Sequence, residues 1–168
     1  MRVLSTLRGW LLLVSMACVA VAAGLAVWLL AFSSGGSVPH ARQYLDMTAC
    51  LLTGPKGVGQ GTPAAPVWAS MQAASVRSGV MVSYLPQLPQ GGPQLLLSSM
   101  VQRHCGVIIT TGAPPAAVLS VAKANPGQRF MLVTDTTAGP APANTTVVSS
   151  ADAAERAGRA VLALAVTA

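Results

Sequence analysis

Charged side chains are scarce in this chain. Only 8% of its 168 residues are Asp, Glu, Lys or Arg, against roughly a quarter in an ordinary soluble domain. Disorder needs high charge with low hydrophobicity, and a coiled coil needs abundant Glu and Lys. A chain that is 52% hydrophobic fits neither. Aromatics make up 4%, so no stacking residues accompany a basic stripe, and nucleic acid is not expected as a partner. Three cysteines are too few for a disulfide scaffold. With two histidines they do not make a metal site, since a structural zinc needs four convergent ligands. The acids are Asp46, Asp135, Asp152 and Glu155, and no carboxylate pair stands out for general acid–base work. No catalytic activity is expected, and no cofactor is indicated.

What the chain has in quantity is apolar sequence, and its first block reads as an address. From Trp10 to Phe32 no residue is charged, and about 20 apolar residues suffice for a helix to cross the hydrocarbon core. Arg2 and Arg8 precede this run and nothing charged follows it before residue 38. The positive-inside rule then leaves residues 1–9 in the cytoplasm and the C-terminal part outside, as a single-pass membrane protein. Two other fates stay open. Ala20-Val21-Ala22 has the small-x-small form of a signal-peptidase site, and Met16-Ala17-Cys18 faintly resembles a lipidation site. With Arg2 and Arg8 set aside the exported part carries about +4 rather than +6. The basic balance therefore reads as an address label rather than a sign of an anionic partner.

All twelve prolines lie beyond residue 38, so residues 33–45 read as a tether and 46–168 as one domain. Within that domain strands and helices alternate. Thr48 to Thr53 is a short apolar strand, and Gly54 to Pro66 a loop with four glycines. Val67 to Ser78 places Val67, Met71 and Ala74 on one helical stripe, and Gly79 is the C-terminal glycine. Val80 to Leu85 is the second strand, Pro93 to His104 a helix, and Val107 to Thr111 the third strand. Pro114 and Pro115 suit a helix's first turn, and that helix runs to Asn125. Phe130 to Thr134 and a weaker strand at Thr146 to Val148 follow. Ser149 or Ser150 is the expected cap of a helix from Ala151 to Val166, with Asp152 and Glu155 in its first turn. The strands lack alternation, as in a parallel sheet covered on both faces. Right-handed crossovers give a doubly wound α/β sheet of order 2-1-3-4-5.

Ligands of such sheets bind beyond the carboxyl ends of the strands. Windows at Thr53 to Gln60, Pro86 to Gln90, Thr111 to Pro114 and Asp135 to Thr137 therefore hold the candidates. The glycine-rich segment Gly54 to Thr62 is no P-loop, because Gln60 stands where the phosphate-binding lysine belongs. It fails the dinucleotide pattern too, with Thr62 in place of the third glycine. It remains a flexible loop able to approach a ligand or a partner. Lys56 within it either meets an anion or is merely solvated. Asp135 follows the fourth strand, where it accepts hydrogen bonds from a ligand or caps its own loop. Cys50 in the first strand and Cys105 just before the third are neighbours in the proposed order. Outside the cytoplasm they can form a disulfide, two buried thiols being the alternative.

The segment Ala49 to Asp135 resembles the N-terminal lobe of the basic membrane protein family, type 1 periplasmic binding proteins of ABC transporters that often bind nucleosides. The resemblance is carried by Ala49 to Thr53, by Pro66 to Ala74, by Val107 to Gly112 and most fully by Val121 to Asp135. It implies a solute-binding module on the outer side of the membrane and carries over Asp135 alone as a family position. With the strand-end windows and Trp68, the ligand-binding candidates are Thr53, Gly54, Lys56, Gln60, Trp68, Gly112 and Asp135. A transporter permease or a second copy of the chain would be its protein partner. Three departures stand out. The chain has one lobe where the family has two, Gly54 replaces an acid, and Ala65 to Trp68 replaces a Ser-Phe-Asn motif. Trp68 either stacks on a ligand ring or packs. The rival expectation is an interaction domain that has lost solute binding and docks on protein through the open carboxyl edge of its sheet.

Overall fold

A computed structural model describes residues 44–88 and 91–167. The predicted membrane span at 10–32 lies outside them. Among the described residues no helix is long and apolar enough to cross a membrane.

The described chain is an α/β lobe with the expected strand order. Strands β1 (Leu45–Thr53), β2 (Val80–Pro86), β3 (Val107–Thr111), β4 (Phe130–Val133) and β5 (Thr145–Val148) form one sheet in the order β2-β1-β3-β4-β5. Every neighbouring pair is parallel. Helices α1 (Ala64–Ser78) and α4 (Ala153–Val166) cover one face, α2 (Pro93–Gln102) and α3 (Pro115–Ala124) the other. Successive strand residues point to opposite faces. Ala49, Leu51 and Ile109 therefore pack on Val67, Met71, Val161 and Leu164. Cys50, Leu52 and Ile108 pack on Leu97, Met100, Val118 and Ala122. Such continuous burial explains why these strands show no polar alternation.

Several boundaries shift. Helix α1 starts at Ala64, three residues before its expected start, because Pro63 already holds φ −58° and Pro66 falls where no amide donor is needed. Strand β1 reaches back to Leu45, so Asp46 lies inside it and the lobe begins within the expected tether. Helix α2 ends at Gln102. Beyond it His104 takes φ 55°, while the Cys105 N–H donates to Met100 O and the His104 N–H to Val101 O. This is a Schellman ending with histidine in the position usually given to glycine. The cap position of α4 falls to Asp152, without a side-chain cap bond. Ser149 lies one turn earlier, where its hydroxyl accepts the Asp152 N–H at 3.4 Å and donates to Asp152 Oδ2, while Ser150 bonds Asp135.

Helices α1 and α4 touch almost backbone to side chain. A Cβ on Gly158 would lie 2.5 Å from Ser70 Oγ, so a larger residue there would make the Ser70 hydroxyl turn away. On the opposite face of the sheet Cys50 and Cys105 sit as a disulfide, their Cα atoms 5.8 Å apart.

Candidate functional site

The carboxyl ends of β1, β3 and β4 open into two adjoining clefts. The first, about 350 Å³, lies between the β1 loop and the end of β3 and is lined by Gly54 to Gly57, Gly61 to Ala64, Thr111 and Gly112. The second, about 410 Å³, lies between the ends of β3 and β4, with Pro114, Thr134, Asp135, Thr136 and Ser150 on its walls. Pro63, Thr111 and Gly112 belong to both. The clefts meet where strand order reverses around β1, the crevice in which ligands of doubly wound sheets settle.

Glycine shapes the ridge between them. Gly112 has φ +77°, and a Cβ there would stand 3.6 Å from the Gly54 backbone. Any other residue at 112 would be strained by that φ, although its Cβ would only touch the β1 loop. That loop turns on its own hydrogen bonds, Gly57 N–H to Gly54 O at 3.0 Å and Thr62 Oγ1 to Gly59 O at 2.7 Å. Lys56 is exposed on the rim of the first cleft.

Asp135 is engaged within the protein. Its carboxylate accepts from the Ser150 backbone N–H at 2.8 Å and from the Ser150 hydroxyl. These bonds, the hydroxyl's first, favour the ionised form and hold the carboxyl below the ordinary aspartate range. The link ties the β4 loop to the turn before α4. Beside it, Thr134 and Thr136 hydroxyls lie 2.8 Å apart, so the second cleft carries a row of hydroxyls next to a carboxylate.

The predicted candidates separate into two groups. Gly54, Lys56, Gly112 and Asp135 come together around the clefts. The others do not. Thr53 is fully buried and spends its hydroxyl on the Gly54 and Leu85 carbonyls. Gln60 is exposed and lines neither cleft. Trp68 meets Tyr84 edge to face, ring centres 5.1 Å apart, and packs against the core. Ser150 is the cleft residue that sequence reasoning passed over, having been assigned to a helix cap. Gln87, within an inspected window, has a buried Nε2 with no partner among the described residues. Among those residues no three His, Cys, Asp or Glu side chains gather as a metal-holding group.

No family model matches the chain, and no curated protein matches it. Among solved structures it is similar to a crystal structure of a fragment of a "putative lipoprotein" from Peptoclostridium difficile 630. The TM-score is 0.60 at 17% identity, over 73% of this chain and 99% of that one. At that identity the likeness is one of fold.

Proposed function

We propose that the lobe is a membrane-anchored, extracytoplasmic module resembling a solute-binding protein. It holds a small ligand at the carboxyl edge of its sheet, in association with an ABC transporter. The observation that carries this reading is the meeting of the two clefts at Pro63, Thr111 and Gly112. Placement beyond the carboxyl ends of parallel strands is the usual ligand position of this architecture. A ligand with hydroxyls and a ring, such as a nucleoside, suits a hydroxyl-lined pocket beside a mostly apolar one, with Lys56 offering a cation at the rim. The resemblance of Val121 to Asp135 to the basic membrane protein family points the same way. The lipoprotein name of the structural neighbour fits a membrane-anchored location.

One observation favours a second reading, a non-catalytic interaction domain. Ser150 already occupies the Asp135 carboxylate, and glycine, proline and alanine make up most of the first cleft. In the described lobe that edge is open to a protein partner, including a second copy.

Thermal-shift screening of the full chain in detergent against nucleosides, sugars and small anions tests the two. The ligand reading expects a saturable stabilisation by one class that is lost in Asp135→Ala. No stabilisation across the panel, together with a concentration-dependent dimer, would leave the interaction reading.

A further inference from the structure

In a parallel α/β sheet every helix that leads into a strand ends at that strand's amino edge. Basic residues far apart in sequence are gathered there by this topology alone. Arg77 closes α1, Arg103 follows α2, Lys123 lies in the last turn of α3, and Arg129 immediately precedes β4. All four are exposed. Two backbone bonds and one from a side chain fasten this edge. Leu45 N–H reaches Gly79 O at 2.8 Å, Gly106 N–H reaches Thr48 O at 2.8 Å, and Arg129 Nε reaches Gly106 O at 3.3 Å. The only acid on this edge is Asp46, early in β1. Asp135, Asp152 and Glu155 sit at the opposite, cleft-bearing edge. Among the described residues the one ion pair is Arg159 with Glu155, so the four cations at the amino edge are without carboxylate partners there.

Apolar side chains join them. Tyr44 is 50% exposed just before β1, Val76 59% exposed near the end of α1, and Val166 87% exposed at the end of α4. A tyrosine and scattered aliphatic groups among arginines make the composition of a surface that rests in a headgroup layer. It lacks the run of stacking aromatics expected of a nucleic-acid face. The described chain also begins here. In sequence, the span expected at 10–32 precedes this start by few residues.

We propose that the amino edge, through Arg77, Arg103, Lys123 and Arg129, docks on anionic phospholipid headgroups and turns the clefts away from the membrane. The proposal rests on the membrane-anchored reading above. Tethering keeps the edge at high effective concentration over the bilayer, so modest attraction is enough to set orientation. Each basic side chain close to an anionic surface contributes about fivefold in the docked population, and added salt removes that gain.

The test uses the full chain, Cys18→Ala, reconstituted with vesicles of phosphatidylcholine containing a headgroup nitroxide, with and without phosphatidylglycerol. A fluorophore is placed at Gln102→Cys on the amino edge or at Gly139→Cys in the β4–β5 loop. The expected result is quenching at 102 that rises about fivefold or more with phosphatidylglycerol and reverses in high salt, with the label at 139 unchanged. The combined R77E, R103E, K123E and R129E variant should lose the rise while keeping its disulfide. Equal quenching on neutral and anionic vesicles, or stronger quenching at 139, overturns the proposal and points to an acidic protein as the edge's partner. Flotation separates the two premises. A chain that floats with pure phosphatidylcholine but shows no anion-dependent quenching keeps its anchor and loses its docking edge. One that floats only with phosphatidylglycerol, quenched at 102, keeps the edge and loses the anchor.

Discussion

The two edges of the sheet are built on different terms. At the amino edge the connections are short and heavily bonded. Asn144 Nδ2 alone donates to the carbonyls of Ala122, Asn125 and Gln128 at 2.8–3.0 Å. Gln128 Nε2 reaches Cys105 O at 2.8 Å, and the disulfide lies beside it. At the carboxyl edge the β1 loop is longer and rich in glycine, and it is shaped by its own turns, while Asp135 with Ser150 ties the β4 loop to the turn before α4. The difference teaches where the fold can be varied cheaply. The disulfide and the Asn144 amide serve the edge that carries the cations, and the clefts open at the other.

Removing the disulfide should produce the largest effect. It spans a sequence separation of 55, and Cys50→Ala with Cys105→Ala is expected to cost about 2–4 kcal/mol, read as a lowered urea midpoint of the full chain in detergent. A loss no larger than that of a cleft-edge variant would break the contrast between the edges. Next comes Asn144→Ala, which removes two amide N–H donors shared among three carbonyls, of which Ala122 O and Asn125 O keep a backbone donor, and should cost about 1–3 kcal/mol in the same assay.

Two of the left-handed positions, one at each edge, form a pair that sharpens the comparison. Gly112→Ala at the cleft ridge should cost about 1–2 kcal/mol and reduce any ligand-induced stabilisation. His104→Gly at the amino edge should stabilise by about 0.5–1 kcal/mol, since the present residue bears the strain that glycine avoids. If both changes destabilise equally, backbone strain is not what distinguishes these turns.

The smallest effect belongs to Asp135→Asn. Its folded carboxyl titrates below its unfolded value. The stabilisation it supplies is therefore present above roughly pH 4 and is lost as the pH falls through the folded value. Melting curves of the wild-type and variant chains should differ slightly at neutral pH and converge in acid. A gap that persists in strong acid would assign the effect to packing.

Much of the fold was legible because the strands are apolar throughout and the breaks between them are marked by glycine and proline. Gly79, Pro115 and the run Val107 to Thr111 could be placed from local chemistry alone. The start of α1 was missed because Pro63 and Pro66 look like loop residues until one is seen to sit before the helix and the other in its first turn. The site was only partly readable. Gly112 and Asp135 follow from topology, since both end strands. The bond from Ser150 to Asp135 joins residues on different loops, and nothing in the local pattern of either marks the other. The gathering of the cations was not legible for the same reason. Arg77, Arg103, Lys123 and Arg129 look dispersed along the chain, and only parallel strand order makes them neighbours of one edge. Trp68 was a candidate for stacking on a ligand because it is one of few aromatics, and its partner proved to be Tyr84.

The fit of Gly158 against Ser70 has a consequence for how the molecule comes into being. The inner stripe of α1 is covered by α4, which is synthesised after every other described element. Until α4 arrives, Val67 and Met71 have the sheet on one side and water on the other. By then Cys50 and Cys105 are both already available to each other. The sulfur cross-link can therefore form on a half-built lobe, while closure of the opposite face waits for α4. A chain delayed before α4 would present an oxidised but sticky intermediate.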